Sequence, residues 1–477
     1  METQNWLIKQ AQLNPDRLAV SDGQTSYTFA QLLTVVKADA AHLAGLTTQT
    51  RVGLLGKNNL LTYRLALALL SMGKTIVWLN WRLASPELAF QVADSELDLV
   101  LVDDALMRTE FDQRYQSYTT VLARPGQAVE LQATFASEDI VSIMYTSGTT
   151  GQPKGVLQTF GNHFASAVAS SLNLGLVTNE QWLCVTPLFH ISGFSILMRG
   201  LVYGMAVRLM ARFDPVAVEE VLATEPITIL SAVPYMLKQL LQQRQRTHRA
   251  YQPAFRLVLL GGGIIDQATL AACQAAHLPV VQCYGMTETC SQIIALSARD
   301  ASQQLGAVGK PLFTTQVKLM PTTHEIAIKT PALTPGYLKQ PAKFAAKMVD
   351  GWYLTGDIGH FNAAGFLYVD GRKDEMIISG GENIFPQEVE QVYAAMSGIE
   401  AVAVVGQADA TWGQRPVAFI VGQAQPAQKL IDYGYAHLAH YKVPKEFYLV
   451  TDYPRTASGK IQRYKLLAQL AKLQKIV

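Results

Sequence analysis

The chain has 477 residues, of which 49% are hydrophobic and 16% are charged. This is a globular composition with enough apolar material for two or more domains. The formal net charge of +2 and the lack of a basic stripe give no indication of a nucleic-acid partner.

The sequence shows neither a secretory signal nor a membrane span. Its first ten residues have no apolar core, and the most apolar stretch, 60–81, is interrupted by Arg64 and Lys74. The four cysteines have no C-x-x-C spacing, so we expect reduced, buried thiols in a cytoplasmic protein. These cysteines are Cys184, Cys273, Cys283 and Cys290.

Short apolar runs alternate with amphipathic segments through the first 300 residues. Val216–Thr224 and Pro234–Gln243 have helical patterns. The alternation predicts α/β layers with largely parallel sheets. The runs that predict buried strands are 51–56, 97–103, 139–145, 182–187, 206–210, 227–233 and 255–262.

The texture changes after about residue 300, where short strands and turns follow one another. This predicts a small β-rich unit over about 300–371, belonging to a large N-terminal domain of residues 1–371. A charged turn, an apolar strand, a glycine turn and a helix begun after Pro386 come next. They predict a smaller, mobile α+β domain over 372–477.

The stretch "MYTSGTTGQPKG", 144–155, follows an apolar run and precedes a segment with a more helical pattern. It fails the Walker A template, because Gly155 stands where Ser or Thr is required. "LGGGII" fails the dinucleotide template, because Asp266 replaces the third glycine. What remains is a Ser/Thr/Gly loop whose amides, hydroxyls and Lys154 could hold polyphosphate, or a polar β-to-α turn.

Three further residues fit nucleotide chemistry, each with a plainer alternative. Glu288 in "CYGMTETCSQ" could bind Mg²⁺ or cap a helix. Asp357 in "GWYLTGDIGHF" could accept hydrogen bonds from ribose hydroxyls or serve only as a turn residue. Arg372 could reach the same sugar or a phosphate, or belong to a surface charge run.

Two residues stand out in the apolar segment "PLFHISGFSILMRGLVYGM". His190 alone would usually be structural, whereas Arg199 in an apolar run needs an anionic partner. Neither Ser192 nor Ser195 lies in G-x-S-x-G, so serine hydrolase chemistry is not supported. Lys460, in "YPRTASGKIQR", is by default a surface lysine.

Taken together, these segments resemble the adenylate-forming superfamily of acyl-CoA synthetases, nonribosomal-peptide adenylation domains and luciferases. The phosphate-loop motif is matched by "YTSGTTGQPKG", the adenine and Mg²⁺ motif by "YGMTE", and the ribose motif by "YLTGD". The hinge and thiol-tunnel motif is matched by "GRKDEMIISGGENIFPQEVE", and the catalytic-lysine motif by "PRTASGK". The likeness covers nearly the whole chain.

The resemblance implies an ATP-dependent acid–CoA ligase that forms an acyl-adenylate and then a thioester, using ATP, Mg²⁺ and coenzyme A. It implies catalytic roles for Lys460, His190, Thr287 and Glu288. Lys460 would bridge the acid and the α-phosphate, Thr287 would bond that phosphate, and Glu288 would bind Mg²⁺. The implied ATP-binding residues are Thr146, Ser147, Gly148, Thr149, Thr150, Gly151, Lys154, Gly262, Tyr284, Gly285, Thr287, Asp357 and Arg372.

The same resemblance implies a domain movement between the two half-reactions. The small domain would turn about Lys373, a position that is often aspartate in the superfamily. Gly380 and Gly381 would then line the channel for the pantetheine arm. His190 would gate or orient the acyl pocket.

Four segments, among them "QTFGNHFASAVASSLNLGL" and "ISGGENIFPQEVE", resemble the ligases that act on 2-succinylbenzoate in menaquinone biosynthesis. This acid carries a second carboxylate and a ketone, which Arg199 and the pair Ser291/Gln292 could recognise. The residues expected around the acid are His190, Ser192, Gly193, Arg199, Gly261, Gly262, Ser291 and Gln292.

Other readings of the sequence remain open. The scaffold could serve an aryl- or medium-chain acid, load a free-standing carrier protein, or bind nucleotide without catalysis. Retention of Lys154, Glu288 and Lys460 argues against the last of these. The expected partners are small molecules, with no nucleic acid and no membrane insertion, and a homo-oligomer is allowed.

Overall fold

Parallel strands dominate the two large sheets of the computed structural model, which describes residues 2–146, 153–263, 265–455, 461–470 and 473–476. The strands of this part of the chain are β1 (Glu2–Gln4), β2 (Leu18–Ser21), β3 (Ser26–Thr28), β4 (Arg51–Leu55), β5 (Thr75–Trp78), β6 (Val100–Val102), β7 (Tyr115–Ser117), β8 (Thr134–Ala136), β9 (Ile140–Thr146), β10 (Lys154–Thr159), β11 (Gln181–Cys184), β12 (Ala206–Leu209), β13 (Ile229–Ala232), β14 (Leu257–Leu260), β15 (Val280–Met286), β16 (Ser291–Ala295) and β17 (Lys310–Pro311).

Helices connect most of these strands. They are α1 (Trp6–Leu13), α2 (Phe29–Leu43), α3 (Leu60–Ser71), α4 (Ser85–Asp94), α5 (Tyr118–Leu122), α6 (Phe160–Leu174), α7 (Ile191–Tyr203), α8 (Pro215–Thr224), α9 (Pro234–Thr247) and α10 (Gln267–Ala275), with 3₁₀ turns at Asp104–Leu106 and Thr287–Thr289.

The first large sheet has the order β10-β9-β5-β4-β6-β7, and the second has the order β17-β16-β15-β14-β13-β11-β12-β2-β3. The inner pairs are parallel, whereas β10, β3, β16 and β17 run antiparallel at the edges. Helical crossovers bury both faces of such sheets, which is why their strands are continuous apolar runs. The core beside the second sheet, for example, joins Leu230 and Val258 to Leu237 of α9.

The rest of the chain contains the remaining strands and helices. They are β18 (Gln316–Leu319), β19 (Glu325–Lys329), α11 (Pro341–Ala345), β20 (Met348–Val349), β21 (Trp352–Phe361), β22 (Leu367–Arg372), β23 (Ile377–Ser379), β24 (Glu382–Ile384), α12 (Pro386–Ala394), β25 (Ile399–Asp409), β26 (Gly413–Gly422), α13 (Ala427–His437), a 3₁₀ turn (His440–Lys442), β27 (Glu446–Leu449), α14 (Arg463–Gln469) and β28 (Gln474–Lys475).

By internal packing the chain divides into two compact units. The first consists of Met1–Gln316 and Lys329–Gly351, and the second of Val317–Ile328 and Trp352–Val477. In the second unit, β21 pairs antiparallel with β19 and β22, and β26 pairs with β23, β25 and β27. Packing does not test which segment moves, so the domain boundary between 371 and 372 stays a prediction.

Most predicted elements are present. All seven predicted strands before residue 263 contain an observed strand, α8 and α9 cover the two predicted helices, and α12 begins at Pro386. Among the described residues no helix is both long and apolar enough to span a membrane. The four cysteines are free; Cys283 is partly exposed and the other three are buried.

One local prediction is wrong. The segment that follows the phosphate loop is the strand β10, and a helix begins only at Phe160. Lys154 pairs with Thr146 in an antiparallel register, so the loop connects two adjacent strands rather than a strand and a helix. The alternation of apolar side chains over Gly155–Thr159 is too short to distinguish the two periods, and pairing with β9 decides the conformation.

Candidate active site

Lys154 and Glu288 form a buried ion pair in the first unit. Lys154 Nζ lies 2.8 Å from Glu288 Oε1, although 134 residues separate them in the chain. Burial acts to raise the pKa of the Glu288 carboxyl, but the neighbouring ammonium and hydrogen bonds prevail and its pKa lies below the ordinary value. Glu288 is therefore ionised, as a metal ligand must be.

A tight turn presents Thr287 and Glu288. The side-chain Nε2 of Gln158 donates to the Thr287 carbonyl (2.8 Å), and Thr289 Oγ1 accepts from the backbone amide of Met286 (3.0 Å). Ser291, just after the turn, has φ of +117°, which is strained for a residue with a side chain. Such a locally strained, hydrogen-bonded turn holds the two predicted catalytic residues in one orientation.

Glycine is required at position 285, at the entry to this turn. A Cβ there would lie 2.0 Å from the carbonyl oxygen of Ser291. Thr146, at the end of β9, has a buried hydroxyl that finds no hydrogen-bond partner among the described residues. Ser147, Gly148, Thr149, Thr150 and Gly151, which are predicted to bind phosphate, lie outside the described residues.

A buried polar cluster surrounds Arg199 on α7. The guanidinium donates to Gln292 Oε1 (2.8 Å) and lies 5.2 Å from the ring of Trp182. Gln292 also accepts from Ser291 Oγ (2.9 Å) and donates to Ser170 Oγ (2.8 Å). The structure thus connects three of the predicted acid-binding residues by hydrogen bonds: Arg199, Ser291 and Gln292.

The charge of Arg199 is not neutralised by a carboxylate within the part of the chain that the structure describes. The side chain is 2% exposed, its Nε has no partner there, and burial lowers its pKa. An uncompensated buried cation is unfavourable, and it is the chemical property expected of a subsite for an anionic group.

The remaining predicted acid-pocket and adenine residues lie at strand and helix ends of the first unit. His190 is the N-cap residue of α7, and its ring lies 4.6 Å from that of Phe189. Gly261 and Gly262 follow β14, with φ of +80° at Gly262. The others are Ser192 and Gly193 in the first turn of α7 and Tyr284 on β15.

In the second unit, Asp357 and Arg372 face each other across β21 and β22. Arg372 Nη1 lies 2.8 Å from Asp357 Oδ1, and the two residues are register partners. The next residue, Lys373, donates to Glu325 Oε2 (2.7 Å), and the Gly356 amide donates to Glu325 Oε1 (2.9 Å). The predicted ribose turn and the predicted hinge residue therefore share one buried carboxylate.

The predicted channel residues adopt conformations that favour glycine. Gly380 and Gly381 have φ of +61° and +88°. The Gly380 amide donates to the carbonyl of Trp412 (2.8 Å), whose ring would lie 2.8 Å from a Cβ at position 380. Lys460, the predicted catalytic lysine, lies outside the described residues.

Several residues around these groups were not predicted from the sequence. Tyr337 contacts both Lys154 and Glu288, and Gln158 holds the turn at Thr287. Arg463 forms ion pairs with Glu375 and Glu390. The only sequence signal for them was a polar side chain beside a motif, which is too common to be specific.

The donor set fits Mg²⁺. No group of three or more His, Cys, Asp or Glu side chains in the described residues could enclose a metal ion. Mg²⁺ does not require such a cage, because it is commonly bound through one or two carboxylates together with substrate phosphates. The single ionised carboxylate of Glu288, beside a lysine suited to phosphate, is a site of that kind.

This arrangement matches the family of AMP-binding enzymes. The sequence model of the AMP-binding enzyme family matches residues 7–338, and the family model of the AMP-binding enzyme C-terminal domain matches residues 388–460. The chain therefore belongs to the AMP-binding enzyme family, which confirms the family predicted from the motifs.

Within the family, the chain is similar to 2-succinylbenzoate–CoA ligases. It is 43% identical to the ligase of Listeria monocytogenes serotype 4b over 467 residues, which cover 97% of this chain and 98% of the relative. The o-succinylbenzoate CoA synthetase of Bacillus subtilis, solved with the acyl-adenylate intermediate OSB-AMP, has a TM-score of 0.93 and 37% identity, with 98% of each chain covered. Its complex with ATP and a magnesium ion has a TM-score of 0.92 and 37% identity, covering 98% of this chain and 100% of that one. These matches confirm the predicted α/β fold class with its smaller C-terminal domain.

Proposed function

We propose that this protein is an AMP-forming 2-succinylbenzoate–CoA ligase of menaquinone biosynthesis, acting in the cytoplasm. Full-length similarity to ligases of that name supports the reaction class. The observation that carries the choice of acid is Arg199, a buried cation beside Gln292 that no described carboxylate neutralises. A mono-acid with an apolar tail would leave this cation without a counterion.

In the first half-reaction a carboxylate oxygen of the acid attacks the α-phosphorus of ATP. A P–O bond to the acid forms, and the P–O bond to pyrophosphate breaks. Both reactants are anions, so the site must supply positive charge. Lys154 serves the β- and γ-phosphates, Lys460 the reacting oxygens and Thr287 the α-phosphate, while Mg²⁺ on Glu288 would neutralise phosphate charge.

In the second half-reaction the CoA sulfur attacks the acyl carbonyl. A C–S bond forms, the C–O bond to AMP breaks, and the thiol proton is released. Lys460 is not needed for this step, which is the reason to expect rotation about Lys373 and approach of Gly380 and Gly381 to the thiol. Asp357 and Arg372 hold the ribose of the adenylate throughout, and His190 orients the acyl group.

For the acid we assign Arg199 to the second carboxylate and the pair Ser291/Gln292 to the ketone and carboxylate oxygens. His190, Ser192, Gly193, Gly261 and Gly262 form the surrounding walls. These residues all belong to the first unit: His190, Ser192 and Gly193 lie at the start of α7 and Arg199 within it, Gly261 and Gly262 follow β14, and Ser291 and Gln292 begin β16.

The test is product detection with a panel of acids. The purified protein is incubated with ATP, Mg²⁺, CoA and either 2-succinylbenzoate, benzoate or octanoate, and AMP and the CoA thioester are measured by mass spectrometry. We expect the thioester of 2-succinylbenzoate at far lower acid concentrations than the others. A preference for benzoate or octanoate would refute the choice of acid, and no AMP with any acid would refute the enzyme.

A further inference from the structure

The segment Thr334–Leu338, called here the strap, runs beside the strand that follows the phosphate loop. The amide of Leu338 donates to the Gly155 carbonyl (2.8 Å), and that of Leu157 donates to the Gly336 carbonyl (3.1 Å). Leu338 is buried in the core of the six-stranded sheet. The strap is therefore anchored to β10 at the level of Lys154.

The other end of the strap holds the turn that carries Glu288. The Thr334 amide donates to the Glu288 carbonyl (2.7 Å), and Thr334 Oγ1 bonds the carbonyls of Leu157 and Gly336. The strap is thus hydrogen-bonded to both of the segments that supply the buried ion pair. Among the segments described, it links the lysine strand to the glutamate turn.

Tyr337 occupies the middle of the strap and reaches the ion pair itself. Its hydroxyl accepts from Lys154 Nζ (2.7 Å) and donates to Glu288 Oε1 (3.0 Å). The Lys154 ammonium also lies 4.1 Å from the centre of the tyrosine ring. The tyrosine is 3% exposed, so these bonds form away from bulk water.

Binding of MgATP changes what the two charged groups must do. Lys154 has to direct its ammonium to phosphate oxygens, and Glu288 has to direct its carboxylate to the metal, so their mutual ion pair must loosen. A neutral hydroxyl that accepts from one and donates to the other can keep both bonds when the charges turn to the ligand.

We propose that Tyr337 is a positioning residue for MgATP, which holds Lys154 and Glu288 in place as their ion pair gives way to phosphate and metal. The proposal rests on the proposed function and adds to it a residue outside the motifs. A tyrosine that only fills the core would affect stability without a selective effect on the nucleotide.

The consequence concerns only the steps that contain the β- and γ-phosphates. Pyrophosphate is split off in the first half-reaction, so Tyr337 would have no phosphate-bound group to position in the second. Loss of the hydroxyl, which bonds two charged groups, should weaken the binding of MgATP by about tenfold or more.

The experiment is titration calorimetry of the full-length protein with MgATP. The variant Tyr337→Phe removes the hydroxyl and keeps the ring. Tyr118→Phe is the matched control, since Tyr118 is also buried and its hydroxyl lies 3.2 Å from Thr62 Oγ1. We expect the Kd of MgATP to rise about tenfold in Tyr337→Phe and to change less than about twofold in the control. Thioester formation from supplied acyl-adenylate should equal that of the wild type.

An unchanged Kd in Tyr337→Phe, or an equal rise in both variants, would overturn the proposal. If Tyr337→Phe lost its cooperative unfolding transition, the variant Thr334→Val would be used instead, because it removes the strap hydroxyl that bonds the Leu157 carbonyl. We expect weaker binding of MgATP in this variant, and an unchanged Kd would contradict the proposal. Because the titration needs no acid, a wild type that binds MgATP but ligates no acid would refute the proposed function alone.

Discussion

Replacement of Arg199 by methionine separates the effect of this buried charge on the stability of the fold from its effect on the acid substrate. Methionine has a similar length and no charge, and Gln292 keeps its bonds to Ser170 and Ser291. The fold loses one hydrogen bond to a charged group, about 1.5–3 kcal/mol, and a cation–π contact of up to about 2 kcal/mol. It gains relief from a desolvation penalty of several kcal/mol.

These opposing contributions nearly cancel, so we expect the free energy of unfolding of Arg199→Met to stay within about 2 kcal/mol of the wild type. The effect on the acid should be much larger. A substrate carboxylate left without its buried partner loses about 3 kcal/mol or more, which corresponds to about a 100-fold fall in kcat/KM for 2-succinylbenzoate.

The assays are chemical denaturation for stability and initial rates of AMP formation, with each substrate varied in turn. The KM for ATP should change less than about threefold, since Arg199 is assigned to the acid alone. Arg199→Lys serves as the comparison, because it keeps the charge but loses the planar fork. A large loss of stability with equal effects on both substrates would refute the assignment and make Arg199 structural.

Two further outcomes are expected. Asp357→Asn should raise the KM for ATP about tenfold and spare that for the acid, and rates with each substrate varied would show a wrong assignment if both changed alike. His163 is buried, and its pKa is lowered to about 3, mainly by burial and also by Arg199. As the pH falls, the unfolded chain therefore binds a proton at this residue before the folded chain does. The contribution of His163 to the free energy of unfolding is fully present above about pH 6.5 and falls by about 1.4 kcal/mol per pH unit as the pH drops toward 3. The free energy of unfolding of His163→Gln, measured by chemical denaturation at several pH values, should therefore depend less on pH than that of the wild type. An identical pH dependence in the two proteins would show that His163 is not its source.

The local sequence pattern was sufficient to predict those strands and helices whose conformation depends mainly on residues close by in the chain. The apolar runs at 227–233 and 255–262 contain β13 and β14, since a strand buried on both faces needs continuous apolar residues. Pro386 begins α12, because proline suits the first turn of a helix. Pattern failed at 155–159, where a few residues could follow either period and pairing with β9 selected a strand.

The sequence alone also determined the chemistry available. Its motifs specify a family whose reaction requires a lysine, an acidic residue and a polar loop at set positions, and the family models match these segments. Residue types at short spacing suffice for that, because each motif is a single turn or strand end whose backbone and side chains act together.

Only the tertiary structure decided which residues, distant in the chain, bond to the buried charged groups. Tyr337 meets Lys154 across 183 residues, and Arg199 meets Gln292 across 93. No local rule pairs them, since long-range contacts follow from how the sheets and helices pack. Whether a buried cation is neutralised depends on those contacts. They are the reason to expect that Arg199 binds the acid and to propose that Tyr337 is a positioning residue.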